Sequence, residues 1–274
     1  MVKSGFMPGS KTAVCCYNMD GILKKNFDEV IKRVRTKNWD YVCIVSGLPG
    51  SGKSNFAQNC ARFLCSWFDH TYIAFSDKDF IRITNECPEY SSVILDESFQ
   101  SLNTRVSNST AFLRIINHLQ LIRQKHLFIF LCLPNFFDLS KGVAIFRSSH
   151  LFYVYATPSG DRGRFCAFSR ENKRELYIRG LKFLNYNVVR ANFHGRFPLQ
   201  KCVDNKIYDA MKRKHLLSQG KKEIINKDKI TRNKFIKFLK DEYMLPNTEI
   251  AKVGGLNRKT IYSILLKEDA DAKD

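Results

Sequence analysis

A chain of 274 residues with 44% hydrophobic residues is long enough for one α/β domain of ordinary size plus a small appendage, and too apolar for global disorder. Its 45 Lys+Arg against 26 Asp+Glu leave a net charge of +19, which points to a polyanionic partner, nucleic acid before an anionic membrane surface. No leader peptide is legible and the longest apolar run, residues 127–134, is too short to span a bilayer. The nine cysteines show no C-x-x-C or zinc spacing, so the expectation is a soluble protein of a reducing, cytoplasmic compartment.

Residues 1–24 carry no clear pattern. Phe27, Val30, Ile31 and Val34 repeat at helical spacing, which predicts a basic helix over 26–36. The run 41–46 (YVCIVS) reads as a buried parallel strand and leads into Gly47-Leu48-Pro49-Gly50-Ser51-Gly52-Lys53-Ser54, a full match to G-x-x-x-x-G-K-[ST]. A helix over 55–68 follows, starting near Lys53, with Phe56, Cys60, Phe63, Leu64 and Trp67 on one face. This strand–loop–helix order gives the motif a mechanism. Gly47, Gly50 and Gly52 let backbone N–H groups turn toward phosphate oxygens, and the helix N-terminus adds positive potential. Lys53 would reach the β- and γ-phosphates of ATP and Ser54 would ligate Mg²⁺.

A strand is expected at 71–75, then a helix over 79–85 capped by Asp77. The stretch 91–97 (SSVILDE) reads as a Walker B strand: Asp96 would hold Mg²⁺ and Glu97 would act as general base toward water. A polar loop containing Arg105, a helix over 111–125 and a buried strand over 127–133 come next. That strand ends at Pro134-Asn135. Asn135 there can sense the γ-phosphate and orient water, or it can cap a turn. A short helix over 139–147 and a strand over 151–155 follow. Arg147, just before the strand, is a candidate for an arginine reaching a neighbouring subunit's γ-phosphate; its alternative is a solvated surface arginine, and Arg123 is the weaker candidate.

Beyond the break at 157–161, residues 164–168 and 175–178 read as two strands of a basic, aromatic hairpin, and 201–217 as a basic helix. Residues 218–228 have linker composition. The C-terminal region has apolar positions at helical spacing over 232–243, a break at Pro246-Asn247, a short helix at 248–252, a Gly254-Gly255 turn and a helix over 257–265 with Asn257 as N-cap. This is a tri-helical helix-turn-helix pattern with Ile250, Ala251, Leu256, Ile261 and Leu265 as its core. Arg258, Lys259, Thr260 and Tyr262 would then face DNA; a small helical packing module is the alternative.

Two resemblances follow from these residues. The segment EIAKVGGLNRKTIYSILL resembles the helix-turn-helix of resolvases and transposases. The span 41–155, with GLPGSGKS, VILDE and LIRQKHLFIFLCLPNFFDLSKGVAIFRSSHLFYVY, is similar to the P-loop ATPases of the FtsK/HerA group, including Zot-like proteins of phages and mobile elements. That resemblance implies a RecA-like, mainly parallel sheet flanked by helices, a ring oligomer and ATP-driven movement of double-stranded DNA. It departs at Asn135, where the group often has glutamine. The implied organisation is an ATPase core over 1–160, a hairpin and helix extension over 161–220 and a helix-turn-helix domain over 228–274. The implied function is a DNA packaging, translocation or mobilisation ATPase, located in the host cytoplasm or with the virion if viral. Two alternatives stay open: an ATP-switched DNA-binding replication or regulatory factor, and a small P-loop kinase in which an aspartate of YIAFSDKDFI binds the acceptor.

Overall fold

The computed structural model describes residues 19–96, 110–200 and 202–271. Glu97 and Arg105 lie outside the described residues. The chain divides into two units, 1–210 and 211–274.

The first unit is built on one seven-stranded sheet. Its strands are β1 (Tyr41–Ser46), β2 (Ile73–Ala74), β3 (Ser92–Leu95), β4 (Phe128–Leu133), β5 (His150–Tyr155), β6 (Arg164–Phe168) and β7 (Phe193–Arg196), in the spatial order β2-β3-β4-β1-β5-β6-β7. The first five in that order are parallel and the last two are added antiparallel. Every residue of β1 and β4 is buried, as expected for strands covered on both faces. Alternate residues of β1 serve different layers. Val42 and Ile44 join Phe80, Ile115, Leu119 and Tyr177 in one core. Tyr41 faces Phe27, whose ring also meets Phe63 and Phe152, while Phe56 packs on Phe152 and Phe165 in the same aromatic layer. The result is a three-layer α/β/α architecture of the P-loop type.

The helices of this unit are α1 (Gly21–Thr36), α2 (Lys53–Leu64), α3 (Asp77–Glu86), α4 (Thr110–Leu121) and α5 (Arg170–Gly180). Helix α1 starts earlier than its apolar spacing predicts, because Asp20 caps it, accepting from the N–H groups of Ile22 and Leu23. Helix α2 ends at Leu64, so Trp67 is off the helix and 45% exposed. Helix α3 is capped by Ser76 and not by Asp77: Ser76 Oγ accepts from the Asp79 N–H and donates to Asp79 Oδ2 at 2.7 Å, a reciprocal cap.

Three further expectations are corrected. Residues 175–178 are helix, not strand. Ser169 caps α5, and Lys173, Leu176, Tyr177 and Gly180 recur at helical spacing on its buried side. The partner of β6 is therefore β7, and both complete the main sheet instead of forming an extension outside a core ending at 160. The helix expected over 139–147 is a 3-10 turn (Phe136–Asp138) and a π-helical turn (Gly142–Arg147). Finally, 218–228 is no linker: helix α6 runs unbroken over Asn205–Asp241. Its lysines, glutamate and isoleucines are adequate helix formers, and a lone glycine costs only about 1 kcal/mol.

The second unit contains most of α6, α7 (Asn247–Gly254) and α8 (Arg258–Asp271). Ile236, Ile250, Ile261 and Ile264 form its core, with Leu239, Leu245, Ala251, Leu256 and Leu265 packed against them. Gly255 adopts the left-handed conformation that ends α7, and Asn257 Oδ1 accepts from the Lys259 N–H at 3.0 Å.

Candidate functional site

The loop between β1 and α2 has the geometry its glycines permit. At Gly47 a Cβ would stand 2.0 Å from the Val154 carbonyl oxygen of β5, so the loop can leave β1 here only without a side chain. Gly52, at φ +100°, is the left-handed residue from which α2 starts. Ser51 Oγ, beneath the loop, is buried without a hydrogen-bond partner. Lys53 Nζ donates to the carbonyls of Gly47 and Leu48 at 2.8 and 2.9 Å. The ammonium thus sits at the mouth of the cradle that Gly47, Leu48, Pro49, Gly50, Ser51 and Gly52 form.

Asp96 follows β3, which is separated from β1 by β4. Two strand spacings, about 9–10 Å, therefore lie between the two motif strands. Helix α2 bridges that gap: Ser54 Oγ donates to Asp96 Oδ1 at 3.1 Å. A hydroxyl and a carboxylate in contact below a phosphate cradle suit a hard, oxygen-preferring cation, so the residues present fit Mg²⁺. Asp96 is 2% exposed, and its backbone N–H is tied to the Ala74 carbonyl. Its second oxygen, Oδ2, accepts from the Tyr208 hydroxyl. Burial, then the Asp96 charge, drives the Tyr208 phenol far up, so it stays a neutral donor.

Asn135 reaches the same edge of the sheet, two residues past Leu133, which is in register with Ser46 of β1. Its carboxamide oxygen accepts from the Phe137 N–H and the Tyr186 hydroxyl, both at 3.3 Å, so it is engaged in a turn cap. Tyr186 also shares a 2.9 Å hydrogen bond with Ser46, accepts from the Phe136 N–H and stacks on Tyr153. Burial pushes its phenol up to about 12.

Arg147 is not brought to this edge. It precedes β5, at the opposite end of the sheet from the loop 47–54. There its guanidinium is held by Asp40, next to the start of β1, and by the Leu119 carbonyl. The geometry gives its guanidinium structural partners at that end of the sheet.

Three features of the site had no local signal in the sequence. The turn joining β5 to β6 overhangs the cradle, with a guanidinium nitrogen of Arg162 4.0 Å from where a Cβ on Gly50 would stand. The turn is closed by Thr157, Ser159 and Asp161 hydrogen-bonding one another. After β7, Phe197 packs on Gly52 and Phe56. The strap that follows lies along α2: Asn55 and Asn59 donate to the Pro198 carbonyl, and Asn59 Oδ1 lies 3.2 Å from Cys202 Sγ. Asp204 then caps α6, placing Tyr208 one turn in.

In the second unit Arg258, Lys259, Thr260 and Tyr262 are exposed, Tyr262 by 60%. Among the described residues no helix is long and apolar enough to cross a membrane.

These features define a P-loop nucleotide-binding fold. No protein-family model matches the chain, and no curated protein does. Solved structures give weak likenesses. The N-terminal domain of zonular occludens toxin from Neisseria meningitidis aligns at 17% identity over 62% of this chain and 98% of that one, with a TM-score of 0.40. The genome packaging NTPase B204 from Sulfolobus turreted icosahedral virus 2, in complex with AMP, aligns at 13% identity over 49% and 94%, at 0.34. The FIGL-1 AAA domain in complex with ADP aligns at 13% identity over 73% and 89%, at 0.39. All three TM-scores lie below 0.5.

Proposed function

We propose that the protein is an ATP-hydrolysing DNA motor of the packaging, translocation or mobilisation kind. The observation that carries the ATPase reading is the 3.1 Å contact between Ser54 Oγ and Asp96 Oδ1 below the glycine cradle. Ser54 and Asp96 would hold Mg²⁺, which on binding neutralises charge on the β- and γ-phosphates. The loop N–H groups and Lys53 bind and orient the triphosphate. Arg162 adds positive charge from above the cradle. Glu97, next to Asp96 in sequence, accepts a proton from water as the water oxygen bonds to the γ-phosphorus and the bond to the β–γ bridging oxygen breaks, releasing ADP and phosphate. Asn135 serves the turn after β4, its carboxamide oxygen taken by the Phe137 N–H and the Tyr186 hydroxyl.

The DNA half of the reading rests on the +19 charge and on the second unit, whose exposed Arg258, Lys259, Thr260 and Tyr262 open the helix after a Gly-Gly turn. This is a helix-turn-helix reading of 228–274. A ring of subunits would supply an arginine in trans. The kinase reading is weaker because Asp79, in the stretch that would bind an acceptor, is engaged in the Ser76 cap.

The test is ATP hydrolysis by the purified protein in magnesium and low salt, with and without double-stranded DNA. Stimulation by DNA of any sequence is expected. Slow turnover indifferent to DNA would overturn the motor and favour an ATP-switched DNA-binding factor. Labelling of a small acceptor by [γ-³²P]ATP would favour a kinase.

A further inference from the structure

We propose that Tyr208 is a positioning residue for the metal-binding carboxylate of Asp96, and that its hydroxyl sets the Mg²⁺ requirement of nucleotide binding. This rests on the reading that Ser54 and Asp96 hold Mg²⁺. The two carboxylate oxygens have separate partners: Oδ1 accepts from Ser54 Oγ, Oδ2 from the Tyr208 hydroxyl. The backbone at Asp96 is fixed through the Ala74 carbonyl, so the side-chain torsions are the freedom left. The Ser54 hydroxyl meets one of the two oxygens, Oδ1. A second donor on the opposite oxygen defines the carboxylate plane and keeps Oδ1 turned toward α2. A charge-assisted bond of this kind is among the stronger side-chain contacts.

Tyr208 is itself held from several directions. It is 4% exposed, its ring lies 5.7 Å from that of Phe75, and its backbone N–H is bonded to the Asp204 carbonyl in the first turn of α6. The strap before it is anchored on α2 by Asn55 and Asn59. The P-loop helix therefore supplies both the Ser54 hydroxyl and the anchor for the segment that leads to Tyr208. Phenylalanine would fill the same space and remove the hydroxyl alone.

The experiment titrates MgCl₂ against binding of a fluorescent, non-hydrolysable ATP analogue to the full chain, with nucleotide affinity in EDTA measured alongside. In Tyr208→Phe the half-saturating Mg²⁺ concentration is expected to rise roughly ten- to a hundredfold, the scale of one lost hydrogen bond to a charged group. Affinity in EDTA should be unchanged. Asp204→Ala, at an exposed cap, should loosen the same turn and shift the Mg²⁺ requirement the same way by less. In an Asp96→Ala background, which removes the acceptor, Tyr208→Phe should have no further effect. An unchanged or lower Mg²⁺ requirement in both single variants would overturn the inference; a lower one would make the hydroxyl a competitor of the cation. Wild-type binding indifferent to Mg²⁺ would overturn the metal-site reading and this inference with it.

Discussion

Lys53 supplies the only charged side chain of the motif, so Lys53→Ala should abolish ATP hydrolysis in a phosphate-release assay. Glu97→Gln should keep nucleotide binding and stall turnover, because it keeps the shape and loses the proton acceptor. Arg162 is a subtler case. Its guanidinium overhangs Gly50 from another strand connection, so Arg162→Ala should lower kcat about tenfold or more while the fold's melting temperature stays put. Equal rates in the two proteins would remove Arg162 from the site. Lys53, Ser54 and Asp96 were legible because their spacing and flanking strands are local. Tyr208 was not, since it meets Asp96 from 112 residues away. The Arg147–Asp40 pair was not legible either, because position before a strand does not reveal that Asp40 waits at the neighbouring strand start.

Elements differ in how plainly they announced themselves. Strands β1, β4 and β6 could be read almost to the residue, since long apolar runs between turn residues allow few alternatives. The short run 175–178 is ambiguous between the two periods. The Ser169 cap and the buried Lys173, Leu176, Tyr177 and Gly180 decide it as helix once the packing is known. The π-helical turn Gly142–Arg147 has no sequence signature at all; its end is sealed when Lys173 Nζ donates to the Ser148 carbonyl and hydroxyl. The loop after β1 makes a sharp prediction. Gly47→Ala would drive a Cβ into the Val154 carbonyl, so we expect a loss of about 2–3 kcal/mol in urea unfolding together with lost nucleotide binding.

For the whole molecule, titration gives a signed expectation. Burial holds Lys173 down at about 7, from an ordinary 10.5. Between pH 7 and about 9 the unfolded chain keeps a proton that the folded chain releases, so stability should rise with pH, by at most about 1.4 kcal/mol per unit. His150, lowered to about 4 chiefly by burial, extends the rise between pH 4 and 6.5. Above about pH 9 the sign reverses, because burial raises the thiols of Cys65 to about 11 and Cys166 to about 12, and the unfolded chain then loses protons the folded one keeps. Urea midpoints at pH 7 and 9 check this, and Lys173→Met should flatten the rise. The charge of +19 makes a separate prediction: affinity for DNA should fall steeply with salt, and removing 228–274 should weaken it while leaving nucleotide binding intact.

The seven cysteines among the described residues are all buried, and they are spread over β1, α2, the turn after it, the end of α3, β4, β6 and the strap. A thiol reacts as its thiolate and only where reagent can reach it. Alkylation of the native protein would therefore run at the pace of local opening, and mass spectrometry of each peptide would time that opening element by element. Cys202, beside Asn59 on the strap, would report when the segment over α2 lifts. Cys43 and Cys132, deep in adjacent parallel strands, would clock the breathing of the sheet centre. The chain carries its own set of chemical stopwatches, and ATP should slow those nearest the cradle first.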